Sequence, residues 1–253
     1  MLRPRIIPCL LIKDGGLVKT VNFNNPKYVG DPINVVKILN EKEVDELILL
    51  DISCSTSGSD INYELIEKIA AECRMPLCYG GGISNVDQIS NLIRLGVEKV
   101  SISSSIFKDD KFLETASKLV GNQSIVVVLD VKLIQDQHYI FINNGQYNTG
   151  IRLIDYIEQL LNIGIGELVI NSIDRDGTMQ GYDFNLIQKV TTIVNIPLTV
   201  IGGASSHENI NELFNRFGNI GAGVGSLFVF KGKYKAVLIN YPTGKEKNQI
   251  LNI

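Results

Sequence analysis

The chain has little net charge, few histidines, few cysteines and no long apolar run, and each shortage removes a class of function. Its formal net charge is −3 over 253 residues, so no basic field exists to hold nucleic acid or an anionic membrane surface. Any phosphate must then be held locally, by backbone donors and single basic side chains. The four cysteines, Cys9, Cys54, Cys73 and Cys78, form no C-x-x-C pair and fit no zinc spacing. They are expected to be small buried hydrophobes in a reducing compartment. His138 and His207 sit in polar surroundings without partners at metal spacing. Both are expected at the surface, and neither a metal nor another cofactor is expected. No apolar stretch is long enough to span a bilayer. The opening Met1-Leu2-Arg3-Pro4-Arg5 is not followed by the apolar run of a signal peptide. A cytoplasmic location is expected.

What the chain does have is an alternation of short apolar runs with longer amphipathic stretches. The runs cover 6–12, 46–52, 76–79, 99–102, 125–131, 167–170, 197–201 and 221–229. They are rich in Ile, Val and Leu on both faces, as parallel strands covered by helices should be. Helical patterns lie between them, at 32–42, 62–72, 86–95, 153–161 and 207–214. The alternation and the length point to one α/β domain over residues 1–253, a closed (β/α)8 TIM barrel.

An internal repeat divides that barrel. Glu46 and Glu167 stand 121 positions apart, as do Pro76 and Pro197, Gly81 and Gly202, Gly82 and Gly203, and Ser105 and Ser226. A period of half the chain reads as two (β/α)4 half-barrel repeats. Each half then ends in its own anion site. The first is Tyr79-Gly80-Gly81-Gly82 with Ser103-Ser104-Ser105; the second is Ile201-Gly202-Gly203-Ala204 with Gly223-Val224-Gly225-Ser226. Glycines let backbone N–H groups approach phosphate oxygens, and a following helix start adds partial positive charge. One such loop alone is usually only a tight turn. Two at one offset imply a ligand with a phosphate at each end.

Acid–base candidates fall at expected C-terminal strand ends, the catalytic face of such a barrel. Asp130 follows four apolar residues and lies between the two anion sites, which favours a functional carboxylate. For Asp51 a structural hydrogen bond and a ligand contact stay equally open. Within Asp174-Arg175-Asp176-Gly177-Thr178, Asp176 and Thr178 are the candidate ligand contacts, against a plain surface turn. At the opposite strand ends stand Arg5, Glu46, Lys99 and Glu167, with Glu98 beside them. They read either as charges closing the barrel bottom or as a salt-bridged gate over an axial channel.

The chain resembles the cyclase subunit of imidazole glycerol phosphate synthase over nearly its whole length. The matching segments include Arg5-Ile6-Ile7-Pro8-Cys9, Val18-Lys19, Gly30-Asp31-Pro32, Leu50-Asp51-Ile52, Gly80-Gly81-Gly82-Ile83, Glu98-Lys99-Val100-Ser101-Ile102, Asp174-Arg175-Asp176-Gly177-Thr178 and Gly202-Gly203-Ala204. The resemblance implies a lyase-type subunit paired with a glutaminase subunit at the N-terminal barrel face, with ammonia entering through a gate of Arg5, Glu46, Lys99 and Glu167. It implies a bisphosphorylated ribulosyl aminoimidazole substrate held by Lys19, Asp51, Gly81, Gly82, Ser103, Ser104, Asp176, Gly177, Thr178, Gly202, Gly203, Gly225 and Ser226. Lys19 is otherwise an ordinary solvated lysine in a glycine-containing loop at 14–19. Of the family's two catalytic aspartates, one maps to Asp130 and the other to Leu11. Aligning Leu10-Leu11-Ile12-Lys13 with Leu129-Asp130-Val131-Lys132, two positions short of the 121 offset, shows the same gap, with Leu11 opposite Asp130. An Asn-Thr pair common in the family is Ser103-Ser104 here. The opening 2–20 and the late 225–233 look closer to a cyclase-like branch associated with acetamidino modification of bacterial surface sugars. That branch would pass ammonia to a sugar amidotransferase. Three functions are thus in view: ammonia supply for sugar amidination in lipopolysaccharide-type pathways, the cyclase of histidine biosynthesis, and the sister isomerase. The isomerase is weakest, because it needs both acids and has no use for the gate.

Overall fold

The first apolar run becomes β1 (Arg5–Lys13), and the chain then folds straight back into β2 (Gly16–Val21) and β3 (Asn24–Gly30). This corrects the expectation of a loop at 14–19. Asp14 and Gly15 take φ of 51° and 80°, the left-handed pair of a two-residue hairpin turn. The alternation of Leu17, Val18 and Lys19 then continues as a strand paired to β1. In this computed structural model residues 3–54, 60–109 and 111–252 are described. Met1, Leu2 and Ile253, the ends of the expected domain, lie outside them.

The remaining elements follow the barrel order. They are α1 (Pro32–Glu41), β4 (Leu47–Asp51), α2 (Tyr63–Glu72), β5 (Leu77–Gly80), α3 (Val86–Arg94), β6 (Lys99–Ile102) and α4 (Phe112–Val120). The second half runs β7 (Ile125–Ile134), β8 (Gln137–Ile142), β9 (Tyr147–Arg152), α5 (Leu153–Ile163), β10 (Glu167–Ser172), α6 (Phe184–Thr191), β11 (Leu198–Ile201), α7 (His207–Phe217) and β12 (Gly221–Val224). A short α8 (Ser226–Val229) and a closing α9 (Gly244–Leu251) complete it. Several helices start where a polar side chain satisfies an otherwise free backbone donor. Asp31, Asn62, Asn85, Asp183 and Ser206 each accept from the amide three residues on.

Strands β1, β4, β5, β6, β7, β10, β11 and β12 pair in parallel, and β12 returns to β1. The chain is therefore a (β/α)8 barrel. In a ring of eight, β1 stands opposite β7 and β4 opposite β10. Both halves open in the same way: β1 extends into β2–β3, and β7 extends into β8–β9 by antiparallel pairing. Alternation along β1 explains the two cores. Ile6, Leu10 and Ile12 face the helices, whereas Ile7 and Cys9 face the barrel interior with Ile48, Cys78, Val126 and Val169.

Two further expectations are corrected. The last apolar run is not one strand over 221–229. It breaks at Gly225, after which Ser226–Val229 turns helical and buries Phe228 and Val229. His138 is not a surface residue. It lies on β8 with its side chain 8% exposed, its Nε2 3.6 Å from Asp183. His138 and Ile140 lie on the buried face of β8, which the polar neighbours Asp136 and Gln137 hide in the sequence. His207 opens α7 and is half-buried.

Candidate functional site

At the C-terminal ends of the barrel strands a cavity of about 380 Å³ opens. Its two poles are the glycine loops. Gly81 and Gly202 both take left-handed φ, 123° and 101°, and both press on the neighbouring strand end. A Cβ there would lie 2.3 Å from the Asp51 carbonyl oxygen and 2.7 Å from that of Ser172. Asp51 and Ser172 are again 121 apart, so the repeat is built into the backbone packing. Each loop is paired with a helical turn whose first residues lack a side-chain cap: Ser104–Phe107 after Ser103, and Ser226–Val229 after Gly225. Gly82, Gly203, Ser103, Ser104, Gly225 and Ser226 all line the cavity.

Lys19 reaches the second pole from β2. It is 6% exposed, and its Nζ donates to the Cys9 carbonyl at 2.8 Å. Gly225 makes the room: a Cβ there would sit 2.6 Å from Lys19 Nζ. Among the described residues no carboxylate pairs with this buried ammonium. An anion in the cavity would satisfy it.

Asp130 lies at the end of the β7 barrel segment and accepts a 2.9 Å hydrogen bond from Asn171 Nδ2. Burial, helped by the negative charge of Asp176 and opposed by the Asn171 hydrogen bond, lifts its pKa to about 7. Such a group is poised to give and take protons near neutrality. Leu11, its repeat mate on β1, also lines the cavity and offers no atom that transfers a proton. Asn171 was not singled out from the sequence, although its repeat position, opposite Leu50, marks it as inward-facing.

The loop carboxylates are more committed. Asp51 lines the cavity but accepts from the Ser53 amide at 2.9 Å. Asp176 Oδ2 accepts from Thr20 Oγ1 at 2.8 Å and from the Phe23 amide at 3.2 Å. Asp176 and Gly177 line the cavity; Thr178 turns its hydroxyl onto the Arg175 carbonyl at 2.8 Å. The two hairpins brace across the mouth. Asn22 Nδ2 donates to the carbonyls of Ile173 and Asp174 at 2.9 and 3.0 Å. On the other side Asn144 Nδ2 donates to the Ile52 carbonyl at 2.9 Å, and the Asn143 amide to Ser104 Oγ at 3.1 Å. Asn22 and Asn143 are also 121 apart, a signal present in the sequence and missed there.

At the other end of the barrel the four predicted charges close a ring. Arg5 bonds Glu46 and, at 2.7 Å, Glu167; Lys99 bonds Glu46 at 2.7 Å and Glu167 at 2.8 Å. Thr199 Oγ1 donates to Glu167 at 2.6 Å. Burial alone would raise the Glu167 pKa. The hydrogen bonds and charges of Arg5 and then Lys99 outweigh it and hold Glu167 below the usual carboxylate range. The same contacts raise Lys99 against its own burial. Between ring and cavity lie apolar side chains such as Ile7, Ile48 and Val169.

The family model described as "Histidine biosynthesis protein" matches residues 5–235. The chain belongs to that family. Within it the chain is HisF-like. It is 50% identical over 252 residues, 99% of both chains, to a protein of Leptospira borgpetersenii provisionally named imidazole glycerol phosphate synthase subunit HisF. It is 52% identical over 255 residues, 100% of this chain and 98% of the relative, to one of Vibrio vulnificus provisionally named subunit hisF3. Identity is 38% over 245 residues, 97% of this chain and 98% of the relative, to the imidazole glycerol phosphate synthase subunit HisF of Natranaerobius thermophilus. Among the described residues no helix is long and apolar enough to cross a membrane, and no cluster of metal-ligating side chains is found.

Proposed function

We propose that this HisF-like barrel takes ammonia from a glutaminase subunit docked on its N-terminal face and delivers it through the barrel, in the service of acetamidino modification of a surface sugar. The observation that carries this reading is the pairing of a complete charge ring with a cavity in which Leu11 stands where a second acid would act. The ring and its apolar interior suit a neutral molecule the size of ammonia. An ammonium ion would lose its hydration there without a partner. Arg5 and Lys99 each bond both carboxylates, so swinging one cation aside would open a path while the other still holds the ring.

A glutaminase would bind around Arg5, Glu46, Lys99 and Glu167, and a sugar amidotransferase would receive the ammonia. The runner-up is the cyclase of histidine biosynthesis, favoured by Asp130 and the two glycine poles. Co-purification with the cognate glutaminase tests the shared part of both readings. A stable pair at micromolar concentration is expected, and failure to associate overturns the conduit. Supply of glutamine-derived ammonia to the sugar amidotransferase, with no turnover of the histidine-pathway substrate, separates the first reading from the second.

A further inference from the structure

A cationic face with exposed aromatics flanks the cavity mouth, and the chain's net charge of −3 hides it. No Asp or Glu occurs between Asp14 and Asp31, or between Glu212 and Glu246. The fold brings these two acid-free stretches together. β3 runs beside β2, with Lys27 in register with the cavity lysine Lys19. α8, which starts at the second pole, leads directly into a hairpin of β13 (Phe230–Lys231) and β14 (Ala236–Val237). Lys27 joins the two stretches. Its Nζ stands 3.5 Å from the Lys235 carbonyl oxygen and 5.1 Å from the centre of the Phe230 ring. Lys231, Lys233 and Lys235 are exposed along the hairpin. Among the described residues none of these four lysines pairs with a carboxylate. Tyr28 and Tyr234 are 64% and 89% exposed, and Val237 and Leu238 follow in the open. Large side chains gathered in the open on one face mark a place where something else is covered or held.

We infer that this face docks an acidic surface of the protein that receives the ammonia. Position and charge together carry the inference. The face stands on the rim of the C-terminal mouth, beside Gly225 and Ser226 of the cavity wall. Ammonia carried through the barrel emerges at that mouth, and it escapes into water unless the receiver seats against the rim. Exposed tyrosines supply large contact area at the centre of a protein interface. The surrounding lysines steer an oppositely charged partner and speed its encounter. Two copies of this face would meet like charge with like charge, which opposes self-pairing. A membrane surface offers no acceptor for the ammonia. The inference rests on the delivery part of the proposed function and adds the surface and charge by which the receiver is recognised.

In the test, the barrel, purified with its glutaminase, is titrated with the sugar amidotransferase, and binding is followed by interferometry. The wild type is expected to bind. Lys231→Glu combined with Lys233→Glu should weaken binding at least about tenfold, chiefly through slower association. Tyr234→Ala should weaken it about tenfold, through faster dissociation. Both variants should keep the glutaminase, which docks at the other end of the barrel, and should melt with the wild type. Raising ionic strength from about 0.1 to about 1 M shortens screening from about 10 to about 3 Å. That change should cost the wild type more affinity than the double variant. Should the double variant lose the glutaminase, and with it its fold, Lys233→Gln read through the same salt series replaces it. Amidotransferase binding that neither variant alters puts the receiver elsewhere: the docking face falls and ammonia delivery stands. A wild type that holds the glutaminase but never the amidotransferase removes both. Capture of the wild type, and not the double variant, by phosphatidylglycerol vesicles, with amidotransferase binding unchanged, assigns the face to a membrane and overturns the proposal.

Discussion

Asp130 and Leu11 occupy matching places in the two halves and have opposite chemistry. A positioned general acid or base contributes roughly 10²- to 10⁴-fold in rate, so a site with only one of two acids should turn over the histidine-pathway substrate far below the usual range of about 1–10³ per second. In a steady-state assay with ammonium salt, Leu11→Asp should raise the rate and Asp130→Asn should abolish that gain. Wild-type turnover in the usual range would put the histidine-biosynthesis cyclase first. The Asp130 carboxyl also makes a stability prediction. Its pKa is about 7 in the folded protein and about 3.9 in an unfolded chain. The folded state then holds the extra proton between those values, and stability contributed at this site falls as pH rises from about 4 to about 7. Asp130→Asn removes the penalty. Its Tm advantage over wild type should be small at pH 4 and full by pH 8. The ceiling is about 4 kcal/mol at 1.36 per pKa unit, and less is expected because the carboxyl partly faces the cavity. An equal advantage at both pH values would contradict this assignment.

The two hairpins are the elements that distinguish this barrel from a plain strand–helix alternation. β2–β3 is tied to the β10 loop by Asp176 and Asn22. Asp176→Ala removes a charged acceptor from Thr20 and Phe23, an interaction worth about 1.5–3 kcal/mol. Amides in 16–30 should exchange with solvent roughly ten- to a hundredfold faster, while those in 137–152 stay as they are. Faster exchange in both hairpins would mean that the whole mouth opens as one unit. These hairpins were also the least legible part of the fold. The eight barrel strands announce themselves as runs buried on both faces. β9 is mostly exposed, and β8 is buried at His138, Ile140 and Phe141 between polar turns at 135–136 and 143–146, so neither reads as a strand until the antiparallel pairing with β7 is seen. The same holds within the site. The glycine loops, Asp130 and the charge ring were readable from spacing. The Asn171 contact to Asp130 and the capture of Asp176 by Thr20 depend on neighbours 41 and 156 positions away.

For the molecule as a whole, the ring ties four strands together at one end. Glu46 and Glu167 have side chains only 5% exposed. Glu167→Gln would leave Arg5 and Lys99 sharing a single carboxylate. Breaking a buried pair in this way costs about 3 kcal/mol, or roughly 6–12 °C in Tm for a chain of this size. Thermal melts at neutral pH should show that drop. A loss below about 2 °C would mean that solvent reaches the ring and screens it. Asymmetry in the ring reaches further. The first half supplies Arg5, Glu46 and Lys99, and the second supplies Glu167 with Thr199. One half thus brings two cations and one carboxylate, the other a lone carboxylate. Two copies of the first half closed on each other would bury surplus positive charge; two copies of the second would bury acids with no cation. Only the mixed closure is neutral. The barrel, nearly twofold in its backbone, therefore carries at its floor an electrostatic key that makes its halves lock and counterpart. Cut between α4 and β7 and co-expressed, the two pieces should choose each other over themselves.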